Sequence, residues 1–596
     1  MFKNNDTSKG NLDRRTFVKG AVAAAAATVA ADGVAFAQEA AEPAEEEDWY
    51  GNPGVPGYMC CGDWLGQAPV IDPSEIVATY EADIIVCGSG HAGTQCALAA
   101  AQGGASVMVL ELQAEDKYMA QGGGVCTFNS KWATDLGLGG YDIGEITAEY
   151  TRRAGQTANA ELIRQYIANS GEMLDNLVSI TPEESTQFKV QEGHEGDLIQ
   201  IAYDKPKGSD YPVELGGFKM WAACYFVRMT ELETNSRNAA KALGAQWFFE
   251  RYATVLVQNE NGDVTGVIAK GPDGYEQFNA NKGVVISTGD FADNLEMIVQ
   301  LLDLVNELDM RNNMDPQMMK GRSGRDGWGI KMGCWAGGFI ESHPRSSMAT
   351  IMAQPGPFGT TPLLHLNARG KRFMNEGMGP YFKQNMIRQP HGNIYSITDA
   401  NWFESIKVAG CDHGAPIFGI YPGQHDTMIE NMSHVVEAGE EGYDVLNTSQ
   451  GRGVTGKVWG AETLEELMDL LGLEGEDKET ALAEIAHYNE LCYAGVDSDY
   501  GKDACAMIPI DTPPFYGSKK EHDGTSTASL VTFCGLVTDD HMNVVKGDYT
   551  PIKGLYAAGN SLGCRWGGGY SAPVAGSSIG FAMTHGRVLG KYLAAL

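Results

Sequence analysis

The chain has 596 residues, with 43 lysines and arginines against 77 aspartates and glutamates, and a formal net charge of −34. This acidic balance excludes nucleic-acid binding, which needs a basic surface, and argues against an anionic membrane surface as a partner. The length predicts two or three domains. The 75 glycines, well above an average of about 7%, indicate many places where the backbone turns sharply or approaches a ligand.

The amino-terminal segment, residues 1–37, has the features of a signal peptide. Arg14 and Arg15 precede an aromatic residue and a lysine, an alanine-rich stretch follows, and a small-residue cleavage site ends the segment. It resembles the bacterial twin-arginine export signal; the alternative is a basic tail before a poor helix. Residues 38–80 are interpreted as a leader, acidic and disordered in its first part. We therefore expect export beyond the cytoplasmic membrane, to the periplasm or cell envelope of a bacterium.

The mature part is expected to have no membrane span, because no later stretch has 18 unbroken apolar residues. Its first predicted strand, 83–87, runs into the motif G-S-G-H-A-G at 88–93 and then into an alanine-rich helix at 94–102. A second strand, 106–110, is closed by Glu111. This order of strand, glycine turn, helix, strand and acidic residue is the dinucleotide-binding fingerprint.

Each fingerprint position has a physical role. Gly88 allows the tight turn, Gly90 lets the backbone approach a pyrophosphate, and Gly93 lets the helix pack on the strand. The helix N-terminus then faces the phosphates. Glu111 accepts hydrogen bonds from the adenosine ribose. The fingerprint alone does not choose between NAD and FAD.

Further segments favour FAD. The motif Q-G-G-G at 121–124 presents bare backbone for a flavin ring or its diphosphate, although a plain glycine loop is the alternative. Predicted strands from 244 onward end in a second apolar run at 282–291. A last strand and loop at 554–560 are followed by a helix at 575–595, whose N-terminus can stabilise negative charge on a reduced flavin.

Together these segments resemble the flavoprotein family of soluble fumarate reductases, urocanate reductases and ketosteroid dehydrogenases. The likeness covers nearly all of residues 81–596. It extends to the segments 323–332, 367–376, 488–490, 497–502 and 512–516. The resemblance implies an α/β fold with a Rossmann-type FAD-binding domain that is split in sequence, at 81–345 and 525–596. An α+β capping domain is inserted at 346–524, and the active site is expected where cap meets flavin.

The resemblance also implies which residues bind FAD. They are Gly88, Gly90, Gly93, Glu111, Gly122, Gly123, Gly124, Ala253, Thr288, Gly289, Asp326, Asn560, Ser578 and Ile579. In the succinate dehydrogenase branch, a histidine five residues before the glutamine of Q-G-G carries covalent flavin. Here that position is Asp116. A carboxylate cannot form that linkage, so FAD is expected to be non-covalent.

The dicarboxylate-binding apparatus of the fumarate-type members is largely missing. The position of their proton-donating arginine falls on Pro380, and the two residues that relay protons to it fall near Gly356 and Gly359. Their carboxylate-binding arginine falls on or near Tyr570, and a substrate histidine falls on Trp566. These replacements argue against a small dicarboxylate as substrate.

What replaces this apparatus resembles the ketosteroid dehydrogenases. They carry one tyrosine in a segment similar to 375–381 and a second in a glycine-rich turn similar to 567–573. The catalytic residues implied are Tyr381, Tyr570, Trp566 and His343. One tyrosine would donate a hydrogen bond to a substrate carbonyl, and the other would exchange a proton at the α-carbon. The alternative to a catalytic role is that each tyrosine simply packs at a domain boundary. His343 either contacts substrate or is a polar residue at the cap junction.

The favoured function is reduction of a C=C bond conjugated to a carbonyl group. The alternatives are a dehydrogenase of the ketosteroid type, a fumarate-type reductase in which Arg565 or Arg345 replaces the missing clamp, and a non-enzymatic flavin electron-transfer subunit. No second nucleotide fold and no C-x-x-C-H haem motif is present. We therefore expect electrons from an exported protein donor, such as a c-type cytochrome.

The 12 cysteines are scattered, and none forms a C-x-x-C pair. Several stand inside apolar runs, where a free cysteine acts as a small hydrophobic residue. The pattern predicts neither a disulfide framework nor a metal site.

Overall fold

A computed structural model describes residues 64–120, 122–185, 187–188, 212–215, 218–302, 325–345, 347–349, 354–377, 385–408, 425–447, 454–522 and 529–596. All of them belong to one compact unit, Pro53–Leu596. The predicted export signal at 1–37, Gln121 and Tyr381 lie outside the described residues. Among the helices of the described part, none is both long enough and apolar enough to cross a membrane.

Strands and helices alternate in the first part of the chain. The described strands are β1 (Ile76–Cys87), β2 (Val107–Glu111), β3 (Gly124–Cys126), β4 (Val213–Leu215), β5 (Phe218–Met220), β6 (Cys224–Phe226), β7 (Gln246–Phe249), β8 (Tyr252–Gln258), β9 (Val264–Gly271), β10 (Gly274–Ile286), β11 (Ser347–Ala349), β12 (Leu364–Leu366), β13 (Gly392–Thr398), β14 (Tyr443–Asn447), β15 (Val454–Ala461), β16 (Phe515–His522), β17 (Ser529–Thr532), β18 (Asn543–Val545) and β19 (Pro551–Ala557). The described α-helices are α1 (His91–Gln102), α2 (Lys131–Asp135), α3 (Ile143–Arg153), α4 (Ala160–Ile180), α5 (Met229–Ala242), α6 (Leu295–Leu301), α7 (Trp328–Trp335), α8 (Trp402–Val408), α9 (Asp426–Ser433), α10 (Leu464–Leu471), α11 (Gly475–Ala494) and α12 (Ser577–Ala595).

The main sheet has the strand order β18-β19-β10-β1-β2-β7, and β9 joins it through an antiparallel pairing with β10. Strand β1 is parallel to both β10 and β2, and β19 is parallel to β10. Cys87 pairs with Ile286 and Leu110, and Ile286 pairs with Ala557, so these carboxyl ends are level. The sheet confirms the predicted α/β class, and ligands of such sheets bind at this edge.

Helices α1 and α12 pack closely beside this sheet. A Cβ atom at Gly586 would lie 2.1 Å from the carbonyl oxygen of Ala92, and one at Gly590 would lie 2.3 Å from that of Cys96. Only glycine therefore allows α12 to approach α1 this closely. Because Gly586 lies well inside α12 and meets the first turn of α1, the N-terminus of α12 extends beyond that of α1.

A second sheet, antiparallel and ordered β12-β13-β16-β15-β14, is built from strands between Leu364 and His522. Helices α10 and α11 contribute to its core, with Leu467, Leu471 and Ile485 buried there. This arrangement confirms an α+β element between the two parts of the FAD-binding fold. The exact domain boundaries at 345 and 525 stay a prediction.

A buried charge network lies beside this second sheet. Arg372 contacts Glu376 at 2.9 Å and Asp497 at 2.7 Å, and the ammonium group of Lys502 lies 3.3 Å from Glu376. Lys502 also donates to the hydroxyl of Tyr488 at 2.9 Å. The network joins three of the segments that carried the family resemblance. Loss of one partner would leave an uncompensated buried charge, which costs about 3–5 kcal/mol.

The element boundaries differ from the sequence interpretation at one place that matters. Strand β1 begins at Ile76, within the predicted leader, rather than at 83. Its first six residues alternate between half-buried and exposed side chains and pair with β10. This extension lacks the continuous apolar run that marked 83–87, so the sequence pattern did not indicate it.

Candidate active site

Of the three glycines in the turn after β1, only Gly90 has open space where a side chain would begin. A Cβ at Gly88 would lie 2.5 Å from the Ser287 carbonyl oxygen, and one at Gly93 would lie 1.9 Å from that of Gly88. A Cβ at Gly90 would meet no protein atom within 4 Å. Gly90 also precedes α1 without a side-chain cap on the helix. The turn thus exposes helix N–H groups beside an open space, which suits a pyrophosphate.

Glu111 is the last residue of β2 and lies next to the glycine turn. Its two oxygens accept the backbone N–H groups of Ser89 and Gln113, each at 2.8 Å. A carboxylate oxygen can accept more than one hydrogen bond, so the predicted contact with a ribose is compatible with this anchoring. The structure therefore assigns Glu111 a second role, which is to fix the glycine turn to the end of β2.

Arg237 is a residue that the sequence interpretation missed. Its guanidinium lies 4.8 Å from the ring centre of Tyr118 and 5.3 Å from that of Phe249. The side chain is buried, yet its Nε and Nη1 atoms have no hydrogen-bond partner among the described residues. Because unpaired buried donors are costly, an anionic ligand such as a dinucleotide diphosphate fits this corner. The only sequence signal is an arginine on the buried face of α5.

The loops after β10 and β19 meet at the same edge. The hydroxyl of Ser561 donates to the carbonyl oxygen of Gly289 at 2.8 Å. A Cβ at Gly559 would lie 3.0 Å from that of Ala92, in the first turn of α1. Gly289 has a φ of 92°, which favours glycine, and a Cβ there would meet nothing within 4 Å. The structure thus brings the segments of Thr288, Gly289 and Asn560 next to the fingerprint; that they bind the cofactor stays a prediction.

The glycine loop at 122–124 meets the start of α12. A Cβ at Gly122 would lie 2.5 Å from a methyl group of Ile579, and one at Gly576 would lie 2.7 Å from the backbone of Gly124. Gly123 accepts the backbone N–H of Val227 at 2.7 Å. The structure therefore joins two predicted cofactor segments, 122–124 and 578–579.

Ala253 and Asp326 form a third part of the predicted cofactor site. Asp326 accepts the hydroxyl of Tyr252 at 2.7 Å and the backbone N–H of Trp328 at 2.9 Å. Ala253 follows Tyr252 in β8 and is buried. The start of β8 is tied to β2, since the N–H of Arg251 donates to the carbonyl oxygen of Glu111 at 2.9 Å. Ala253 thus lies near Glu111, and Asp326 is linked to the start of β8 through the side chain of Tyr252.

Tyr570 lies beside the N-terminus of α12. Its hydroxyl oxygen accepts the backbone N–H of Ser578 at 3.3 Å. Its ring is stacked on Phe533 with the ring centres 5.0 Å apart. Burial raises the pKa of the Tyr570 hydroxyl, so the group stays protonated at neutral pH and can donate a hydrogen bond.

Trp566 and His343 differ in their surroundings. Trp566 packs edge-to-face on Tyr570 with ring centres 4.6 Å apart, and its indole nitrogen has no hydrogen-bond partner among the described residues. His343 is exposed, and its Nε2 lies 3.2 Å from Nη1 of Arg345. A Cβ at Gly568 would lie 3.3 Å from Pro344. The structure therefore brings the His343 segment to the same glycine-rich turn.

Arg565 is a second buried arginine at this turn, and its side chain is 1% exposed. Its Nε donates to the carbonyl oxygen of Leu562 at 2.9 Å, and Nη2 donates to Oδ1 of Asn560 at 3.1 Å. Its Nη1 has no partner within the described part of the chain. Burial lowers the pKa of the guanidinium to about 10, which still leaves it charged at neutral pH. The sequence interpretation named Arg565 only as a fallback clamp.

Glu341 lies close to Arg565, and the sequence analysis did not identify it as a site residue. Its oxygens accept the N–H groups of Cys564 at 2.7 Å and Gly535 at 3.2 Å. Burial raises the pKa of the carboxyl group to about 7, and the nearby positive charges of Arg565 and Arg345 act against that rise. Glu341 therefore fixes the backbone from which Arg565 extends. Nothing in its sequence context marked it.

Comparison with known proteins agrees with this geometry. The sequence profile of the FAD binding domain family matches residues 83–579. The chain is 24% identical to the vinyl phenol reductase of Lactiplantibacillus plantarum, over 86% of this chain and 96% of that protein. It is also 24% identical to the digoxin reductase of Eggerthella lenta, over 88% and 89% of the two chains.

Among solved structures, the 3-ketosteroid-Δ4-(5α)-dehydrogenase of Rhodococcus jostii is similar, with a TM-score of 0.58 and 20% identity. The match covers 88% of this chain and 99% of the dehydrogenase. At this identity the likeness establishes the shared fold.

Proposed function

The chain belongs to the FAD binding domain family, and we propose that it is an exported reductase of C=C bonds conjugated to a carbonyl group. It is an FAD-dependent oxidoreductase that acts on C=C or CH–CH groups. The direction of the reaction, the substrate class and the export belong to the proposal.

The residues present fit FAD. The open space at Gly90, the uncapped start of α1 and the unpaired donors of Arg237 suit a diphosphate. The loop at 122–124 and the start of α12 offer bare backbone for the ring system. When bound, FAD supplies the chemistry of hydride transfer.

The observation that carries the proposal is the pair of hydrogen-bond donors at the glycine-rich turn. Tyr570 keeps its proton because burial raises its pKa, and Arg565 has an unpartnered Nη1 among the described residues. The guanidinium of Arg565 lies 5.6 Å from the ring centre of Phe533, and the rings of Tyr570 and Trp566 both pack against that same phenylalanine. Such a site can hold one carbonyl oxygen and stabilise the charge that develops on it, an oxyanion-hole role. A substrate with two carboxylates would need more positively charged partners than this turn provides.

The relatives include enzymes named for both directions. Two that align over most of their length are named as reductases, and others that align equally far are named as dehydrogenases. The choice of reduction rests on the expected export, because a reductase outside the membrane can use an acceptor that never enters the cell. A dehydrogenase remains the competing function, since both directions use the same groups.

The proposal is tested by activity with a reduced viologen donor against a panel of enones, enoates, vinyl phenols and fumarate. We expect turnover with at least one conjugated ketone, lactone or mono-acid, and poor turnover with fumarate. Efficient fumarate reduction would contradict the proposal and would mean that Arg565 or Arg345 completes a dicarboxylate clamp. Oxidation of saturated ketones alone would favour the dehydrogenase.

We expect the FAD to be non-covalent. Asp116, at the position of the covalent histidine, is exposed in a short 3-10 helix and offers only a carboxylate. Acid precipitation of the purified protein should therefore release all of the yellow cofactor into the supernatant. Flavin that stays with the precipitated chain would refute this expectation.

Export by the twin-arginine route is expected to depend on Arg14 and Arg15. Their joint replacement by lysine should leave precursor in the cytoplasm, as detected by cell fractionation and immunoblotting. The matched control is replacement of Lys9 and Lys19 by arginine, which keeps both charges and the twin arginines. Unchanged export of the double-lysine variant would exclude this route. An exported c-type cytochrome is the electron donor that such a location favours.

A further inference from the structure

Two cysteines that are far apart in sequence lie opposite each other on neighbouring strands. Strands β3 and β6 are antiparallel, and Cys126 pairs directly with Cys224. The backbone bond from Thr127 N–H to the Ala223 carbonyl, 3.0 Å long, lies just beyond this pair. The two cysteines therefore form a non-hydrogen-bonded pair.

This register has the geometry of a disulfide site. In a non-hydrogen-bonded antiparallel pair the Cα atoms are about 4.5 Å apart and the side chains leave the same face. Disulfides span Cα separations of about 4.4–6.8 Å. Cys126 and Cys224 are free thiols in the structure, and both are 0% exposed.

The pair also adjoins the cofactor site. The N–H of Cys126 donates to the carbonyl oxygen of Gly576 at 3.1 Å, directly before α12. Strand β3 begins at Gly124, in the glycine loop predicted to face the flavin. Both cysteines belong to the same buried cluster as Tyr570. No other described cysteine pair is in strand register.

We propose that Cys126 and Cys224 form a reversible disulfide that exchanges two electrons with the bound flavin. An S–S bond forms, both S–H bonds break, and two electrons and two protons pass to the oxidised flavin, which is thereby reduced. Complete burial disfavours protein oxidants and external thiols, so the proposal takes as the two-electron acceptor the flavin predicted to bind at the loop 122–124, where the strand of Cys126 begins. The inference rests on the FAD of the proposed function, but on neither its substrate nor its direction.

Burial raises the pKa of the Cys126 thiol to about 12 and that of Cys224 well above its usual value. Since the thiolate is the reacting species, exchange is expected to be slow. The pair would act as a store of electrons at equilibrium. In a reductive titration of the protein, each addition of reductant therefore needs long equilibration.

The first test uses the wild-type holoenzyme. Oxidised and anaerobically dithionite-reduced samples are denatured in N-ethylmaleimide, digested and examined by mass spectrometry. We expect a linked peptide pair containing Cys126 and Cys224 in the oxidised sample, and both cysteines alkylated in the reduced sample. Equal and complete alkylation of both cysteines in the two samples would overturn the proposal.

The second test counts electrons by anaerobic reductive titration. The wild type should take up about four electrons per flavin, and Cys224→Ser should take up about two, since a disulfide and a flavin each accept two. Cys96→Ser, at another fully buried thiol, is the matched control and should behave as the wild type. An uptake of about two electrons by the wild type would contradict the proposal. If Cys224→Ser does not fold, the alkylation result decides.

Neither test uses a substrate. An enzyme that reduces none of the panel compounds would still give the expected thiol pattern, so failure of the proposed reaction and failure of the disulfide are distinguishable.

Discussion

Gly90→Val is expected to abolish FAD loading while the polypeptide still folds. A Cβ at Gly90 meets no protein atom within 4 Å, so the protein itself has room for the valine. The space it would fill is the one in which the backbone must approach the pyrophosphate. The measurement is flavin absorbance per chain after purification, together with circular dichroism to verify the fold.

The matched control is Gly547→Val. Gly547 is exposed, and a Cβ there also meets nothing within 4 Å. This variant should keep wild-type flavin content. Full flavin occupancy in Gly90→Val would show that the phosphate site is placed wrongly, whereas loss of the fold in Gly90→Val alone would point to a structural role for the glycine.

Tyr570→Phe is expected to lower turnover by roughly 10²-fold or more, in line with loss of one oxyanion donor. Phenylalanine keeps the ring and its stacking on Phe533, so the substitution removes only the hydroxyl. The hydroxyl lies 3.3 Å from the backbone nitrogen of Ser578, at the helix start predicted to face the flavin. The measurement is kcat on the best substrate of the panel, with flavin content determined in parallel.

Tyr166→Phe provides the matched control. Tyr166 is also fully buried in the same aromatic cluster, and its hydroxyl donates to the carbonyl oxygen of Cys126 at 2.9 Å. It should affect stability but leave turnover within a few-fold of the wild type. Native turnover of Tyr570→Phe on its true substrate would assign Tyr570 to packing and leave Arg565 as the donor.

The parts of the fold and site that the sequence predicted are those with a local cause. Gly88, Gly90, Gly93 and Glu111 occur within one strand–helix–strand unit, where each residue type follows from turn geometry and close packing. The loops after β10 and β19 were named from the family resemblance, and the structure places them side by side because the carboxyl ends of these parallel strands are level.

Residues whose role depends on distant neighbours could not be predicted. Arg237 and Arg565 are unusual only because burial leaves some of their donors unpaired among the described residues. Glu341 has an elevated pKa because distant segments of the chain enclose and bury it, although the N–H groups of Gly535 and Cys564 act against that rise. Such enclosure depends on tertiary packing, and patterns in a single sequence do not indicate it.

The cysteines illustrate the same limit. Their scatter predicted no disulfide, and that reasoning used spacing along the chain. The pairing of Cys126 with Cys224 arises from the register of β3 and β6, which are joined by a long connection. Register across such a connection cannot be read from local spacing.

The close fit of α12 against α1 has a consequence for the order in which the protein matures. Ribosomes synthesise a chain from its amino end, so the glycine turn and α1 emerge hundreds of residues before β19 and α12. Gly586 and Gly590 seat α12 on α1, and its first turn meets the loop at 122–124. The nascent chain therefore holds an incomplete cofactor site throughout most of translation. FAD is therefore expected to bind only after α12 has been synthesised.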